Sequence, residues 1–201
     1  MKKLYVLGAL FLGLISQAQV TFNPGIRAGV NLSHFTNSPY VDYYDYYNGS
    51  NIYEITDYRQ YDIKTKVDFY VGFQANIRFA KMYALQPEIF YSRQGAQLKH
   101  DTQTINFSVS YLGAAVVNKF YIDEFNVQVG PTLEFEIDSR NFEPWNPVDL
   151  GITAGLGYDI NNKIGVEARV KKGIVPVLNS NNGDHNNVAF QLGAYFTFSN
   201  K

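Results

Sequence analysis

Phe125-Asn126-Val127-Gln128-Val129-Gly130-Pro131-Thr132-Leu133-Glu134-Phe135-Glu136-Ile137 alternates from end to end. Phe125, Val127, Val129, Pro131, Leu133, Phe135 and Ile137 fall on one phase, and polar or small residues fall on the other. Successive side chains of a β-strand point to opposite faces, so a period of two held this long predicts a strand with one apolar and one polar face. A soluble strand averages about five or six residues, whereas a tilted strand crossing a bilayer needs about nine to eleven. The length of the run therefore points to a membrane.

The same pattern recurs outward from this stretch. Val67, Phe69, Val71, Phe73, Ala75, Ile77 and Phe79 oppose Asp68, Tyr70, Gly72, Gln74, Asn76 and Arg78. Near the C-terminus Val188, Phe190, Leu192, Ala194, Phe196 and Phe198 oppose Ala189, Gln191, Gly193, Tyr195, Thr197 and Ser199. Further runs over 26–33, 85–95, 105–120, 148–160 and 164–178 bring the predicted total to eight. Only the run over 105–120 is ambiguous in phase, because Tyr111-Leu112-Gly113-Ala114-Ala115-Val116-Val117 is apolar on both faces.

The predicted connections alternate in length. Residues 36–64, 99–104, 138–147 and 179–187 form the longer ones, and 80–83, 123–124 and 161–163 the short ones. Short periplasmic turns and longer external loops are the habit of outer-membrane barrels, and an even strand number puts both termini in the periplasm. Phe79, Tyr83, Phe120, Tyr121, Phe125, Tyr158, Phe196 and Phe198 gather at the short turns, where a periplasmic aromatic girdle belongs. Pro87, Pro131 and Pro176 lie inside runs and each removes a ladder hydrogen bond, so a bulge is expected at each. The predicted fold is all-β, an eight-stranded antiparallel up-and-down transmembrane β-barrel.

At the N-terminus Lys2 and Lys3 precede an apolar run from Leu4 to Ile15, and Ser16-Gln17-Ala18 follows. That order predicts a signal peptide over 1–18, cleaved after Ala18, and a barrel domain over 19–201. An anchoring helix is the alternative, but about 12 apolar residues fall short of the about 20 that span a bilayer. The chain has no Cys and hence no disulfide framework. A formal charge of −1 with no basic patch argues against a nucleic-acid partner.

Several short stretches carry a family resemblance. Gly25-Ile26-Arg27-Ala28-Gly29-Val30-Asn31-Leu32-Ser33 is one, and Leu85-Gln86-Pro87-Glu88 with Tyr91-Ser92-Arg93-Gln94-Gly95-Ala96 is another. Val129-Gly130-Pro131, Asp149-Leu150-Gly151-Ile152 and Ala154-Gly155-Leu156-Gly157-Tyr158 complete the set. Together they resemble the PorT-like outer-membrane β-barrel family of the Bacteroidota lineage, along the whole mature chain. The resemblance implies an outer-membrane barrel; the founding member is associated with protein secretion. Gly113-Ala114-Ala115 departs from the pattern, since such proteins often carry a proline there.

The polar phase predicts a lumen lined by Arg27, Asp68, Arg78, Glu88, Glu134, Glu136, Asp159, Glu167, Arg169 and Lys171. Eight strands leave an interior just wide enough for side chains to fill. Charges of both signs there form a structural salt-bridge plug, or else an ion path or an acid–base pair such as Glu134 with Glu136. Inward glycines, among them Gly155, Gly157 and Gly193, give long side chains room to cross.

No metal, cofactor or catalytic motif is recognisable. His34, His100 and His185 lie at external ends without ligand spacing, and the 181–184 turn lacks the closing Glu of an EF-hand. The expected role is non-enzymatic, structural or partner-binding, with the membrane lipid as one partner and a protein or glycan at the external loops as another. Two alternatives are an outer-membrane lipid hydrolase using Ser33 with His34 or Ser180 with His185, and a soluble periplasmic lipocalin-like binder. The lipocalin Gly-x-Trp opening is absent, the single Trp being Trp145. The loop over 36–64, with Tyr43, Tyr44, Tyr46, Tyr47, Tyr53 and Tyr58 among acidic neighbours, is the predicted recognition surface, since tyrosine-rich loops offer large contact area at low entropic cost.

Overall fold

The computed structural model describes residues 20–36, 40–42, 60–100, 103–180 and 183–198. The predicted signal segment, Tyr43, Tyr44, Tyr46, Tyr47, Tyr53 and Tyr58 lie outside these residues. Strands β1 (Thr21–Phe35), β2 (Tyr40–Asp42), β3 (Gln60–Ala80), β4 (Tyr83–His100) and β5 (Gln103–Ile122) precede β6 (Phe125–Arg140), β7 (Val148–Asp159), β8 (Ile164–Ser180) and β9 (Gly183–Thr197). All neighbours are antiparallel and consecutive, and β1 pairs with both β9 and β3, so eight long strands close into a ring. The short β2 adds to the outer end of β3, with Tyr40 opposite Asp62.

The eight strands run from 12 to 21 residues, and all but β7 are longer than the alternating runs predict. The excess lies at the outer end and changes two connections. The β4–β5 hairpin keeps register to His100 opposite Gln103, and the β8–β9 hairpin, past its register shifts, stays paired to Ser180 opposite Gly183. What reads as two external loops in the sequence is strand carried past the membrane, because hydroxyl and amide residues such as Thr104, Asn106 and Ser180 pair in a ladder as readily as apolar ones.

The prolines require a correction as well. Only Pro176 sits at a register shift. Pro87 opposes Val116, and Pro131 opposes Ile152, in unbroken register. Each of these two drops a rung on one side while both neighbouring strands stay aligned.

Burial alternates as the phase predicts: along β6 the even positions from Asn126 to Glu134 are buried and Phe125 through Phe135 on the odd positions are exposed. The exposed face is an apolar belt that includes Val71, Phe73, Ile89, Leu112, Val129, Leu156 and Leu192. Soluble monomers rarely expose apolar patches beyond a few hundred Å². A belt passing right round the molecule meets lipid, and its height on β6, about 30 Å once tilted, matches a bilayer core. At the end bearing the short turns, Phe79 stacks on Tyr83 at 6.1 Å, and Tyr83 packs at a tilt against Phe120 and Phe125 against Tyr158, at 5.4 and 4.8 Å. Tyr121 is not part of this girdle: it faces the lumen, where its ring lies 3.8 Å under the Arg78 guanidinium.

The β3–β4 ladder lapses between Thr65 and Tyr70. Side chains of β1 fasten the gap from inside. Asn31 Nδ2 donates to the carbonyls of Phe69 and Arg93 at 3.2 and 2.7 Å, and the Gly95 amide donates to Ser33 Oγ at 3.0 Å. Gly95 adopts φ +143° there, a conformation that favours glycine.

Candidate functional site

The lumen is filled in tiers by inward side chains. In the middle tier Arg27 on β1 reaches Glu88 on β4 through Nη1 at 2.7 Å and Glu167 on β8 through Nη2 at 2.6 Å. Arg169, two residues from Glu167, grips both carboxyl oxygens of Glu88 at 2.9 and 2.8 Å. It also meets Glu167 Oε2 at 2.9 Å. Two guanidinium groups thus hold two carboxylates in a closed, charge-balanced square. Tyr70 adds a hydroxyl to Glu167 at 3.1 Å and a ring 4.7 Å from the Arg27 guanidinium. All four ionised side chains are at most 4% exposed, so each depends on the opposite charges beside it to stay in the interior.

Small inward residues make the tier fit. A Cβ at Gly193 would fall 2.1 Å from the Tyr70 hydroxyl, and one at Gly155 would fall 2.7 Å from Arg169 Cγ. Phe90, Ala115 and Val117 fill the facing wall with apolar atoms.

Toward the short turns, Gln86 links Gln74 to Glu88 at 3.0 and 2.7 Å, and Asn76 donates to Tyr121 at 2.9 Å. Lys119, 1% exposed, lies 4.6 Å from the Tyr195 ring, whose hydroxyl donates to Asp159. A cation over an aromatic face in a dry interior is favourable, and the carboxylate beyond the ring adds to the attraction.

Toward the outer mouth, Glu134 binds Lys171 and accepts from Gln94 at 3.2 Å. Glu136 stands two residues further along the same strand face, a rise of about 6.8 Å, so the two carboxylates do not form one acid–base centre. Asp68 binds Lys66 and meets Arg93 at 3.6 Å near the rim. Above them an apolar cap forms from Phe35, Ala96, Leu98, Phe107, Val109 and Val177. Phe142, from the 141–147 connection, stacks on Phe107 at 4.9 Å and meets Phe35 edge-on at 5.9 Å. That connection is strapped down by Trp145 N to Val177 O at 2.8 Å and Asn146 Nδ2 to Pro176 O at 2.9 Å.

Of the residues named from sequence, Arg27, Glu88, Glu167 and Arg169 converge, while Glu134, Glu136, Asp68 and Arg78 occupy other tiers. Lys119 and Asp149 were missed. Asp149 lies on the polar phase of its run, a usable signal, whereas Lys119 lies on the one run whose phase was ambiguous. Ser33 and His34 are adjacent on β1 and so point to opposite faces, with Ser33 buried under the Gly95 amide. His185 turns inward, its Nδ1 2.8 Å from the Thr36 carbonyl.

The model of the family described as outer membrane protein beta-barrel domain matches residues 17–179. No curated protein matches the sequence. Among solved structures, Neisserial surface protein A is 12% identical over 89% of this chain and 99% of its own, with TM-score 0.53. OprG of Pseudomonas aeruginosa is 12% identical over 90% and 98%, with TM-score 0.49. Ail of Yersinia pestis, solved with the heparin analogue sucrose octasulfate, is 13% identical over 88% and 99%, with TM-score 0.45. These likenesses are of fold alone.

Proposed function

The chain belongs to the outer membrane protein β-barrel domain family and resides in the cell outer membrane, and from that premise we propose a non-enzymatic barrel that conducts nothing and acts through its external end. The observation that carries this reading is the closed square of Arg27, Glu88, Arg169 and Glu167 across the middle of the lumen. A pore needs a water path, and this tier spends the full width of an eight-stranded barrel on paired side chains. A chemical role for the rim serine is disfavoured by the burial of Ser33 and the opposite phase of His34. What remains to meet a partner is the outer surface: the strand overhang, the 141–147 strap and the tyrosine-rich segment over 36–64.

Within the family we assign the chain to the PorT-like group, on the stretches 25–33, 85–96 and 149–158, and a link to protein secretion follows from that assignment. The mature domain begins at Gln19, after removal of the signal peptide. Its partner is a protein or a glycan, recognised by tyrosine rings and the acidic side chains Asp42, Asp45, Glu54 and Asp57 among them. Planar-bilayer recording tests the closed lumen: the reconstituted barrel shows no steady conductance steps. Porin-like steps overturn the reading.

A further inference from the structure

Between the ion square and the apolar cap, four strands bring together a group that a closed lumen does not use. Glu134 on β6 and Asp149 on β7 are direct cross-strand partners. Lys171 on β8 binds Glu134 and stands 5.6 Å from the ring of Tyr111 on β5. The single ammonium is therefore committed to Glu134. Asp149 is 3% exposed, and neither of its carboxyl oxygens has a hydrogen-bond partner. Its one near donor is the Val175 backbone amide. The Tyr111 hydroxyl, on a residue that is 0% exposed, is equally without a partner. Glu136, one inward position nearer the mouth and opposite Tyr111 in the ladder, adds a further negative charge to the surroundings.

The carboxylate of Asp149 leans over Gly173. A Cβ at that glycine would lie 2.5 and 2.7 Å from the two oxygens, so the acid occupies the space of an absent side chain. An ionised carboxylate withdrawn from water with no side-chain donor is costly by several kcal/mol, and buried polar groups left short of partners call for a ligand. The surroundings are net negative, so that ligand is positive. They offer no grouping of three His, Cys, Asp or Glu suited to a divalent metal among the described residues.

We propose that Asp149 and the Tyr111 hydroxyl oxygen hold a small monovalent cation of the sodium or potassium class, within the field of Glu134 and Glu136. The ion balances Glu134, Asp149 and Lys171 as the guanidinium groups balance the middle tier, and Glu136 is left over nearer the mouth. The site is independent of the external-loop reading.

Equilibrium binding of radioactive sodium to the purified, detergent-folded barrel tests the proposal, alongside its unfolding midpoint in sodium chloride. One ion per barrel is expected, with the midpoint rising as sodium replaces N-methylglucamine at constant ionic strength, since a ligand of the folded state stabilises it. Asp149→Asn abolishes both effects, and Tyr111→Phe weakens them. Gly173→Ala keeps every charge but displaces the carboxylate, and weakens binding by about tenfold or more. A wild-type barrel that binds no sodium overturns the proposal, whether Asp149 carries a proton or the space holds only water. Undiminished binding in Asp149→Asn also overturns it; where that variant does not fold, undiminished binding in Gly173→Ala does.

Discussion

Arg169 makes contacts with Glu88 and Glu167 from a position that is 2% exposed, so removing its guanidinium strands two carboxylates in a medium that cannot solvate them. Breaking a buried pair from one side costs about 3–5 kcal/mol. Arg169→Ala is expected to lower the unfolding free energy of the detergent-folded barrel by that amount, measured by urea titration. Arg169→Met in combination with Glu88→Gln removes both signs and should recover part of it. A double variant no more stable than Arg169→Ala would mean the two groups are not coupled. Which face a residue takes is readable from alternation alone, and that is how Arg27, Glu88, Glu167 and Arg169 come to share the inward phase. Which of them touch is not readable, because Arg27 and Glu167 are 140 positions apart and meet only when the ring closes. Tyr121 shows the limit of composition: an aromatic beside a short turn reads as girdle, yet its phase sends it inward to Arg78.

At the scale of the strand, Val71 and Val129 sit on the exposed phase of β3 and β6, near the middle of the apolar belt. Arg placed at either position faces hydrocarbon and should cost about 2–4 kcal/mol in lipid vesicles. The same substitution at Ile122, exposed beside a short turn, should cost about 1 kcal/mol or less. Equal costs at the three positions would mean that the belt does not lie across a bilayer. Existence and phase were legible for seven of the eight runs because lipid demands apolar residues on every outward position. The ends were not legible, because past the bilayer that demand ceases while the ladder continues, as β4 and β5 do to His100 and Gln103. The strap is a separate element: Phe142→Ala should open the apolar cap and raise proteolysis within 141–147 while leaving the heat-modifiable band of the barrel intact. Unchanged cleavage would remove Phe142 as the anchor.

For the whole molecule, replacing residues 40–61 by a short Gly/Ser linker should leave the barrel assembled, since loop closure depends only slowly on length. The shortened protein should migrate in SDS as the parent does, folded before boiling and unfolded after it. It should also lose surface binding of its partner, scored by pull-down from intact cells, and full retention of binding would move recognition to the 141–147 strap. The ion square bears on when such a molecule enters its membrane. Arg27 belongs to the first strand, Glu88 to the middle of the chain, and Glu167 and Arg169 to the penultimate strand. A nascent sheet lacking β8 and β9 therefore carries Arg27 and Glu88 with only each other, without Glu167 and Arg169 to complete the square, and lying flat in lipid it would press them against hydrocarbon. Only the complete cylinder hides them. Pairing of the last hairpin is thus the step at which insertion becomes favourable, and partly paired sheets are held at the aqueous surface until their final two strands join.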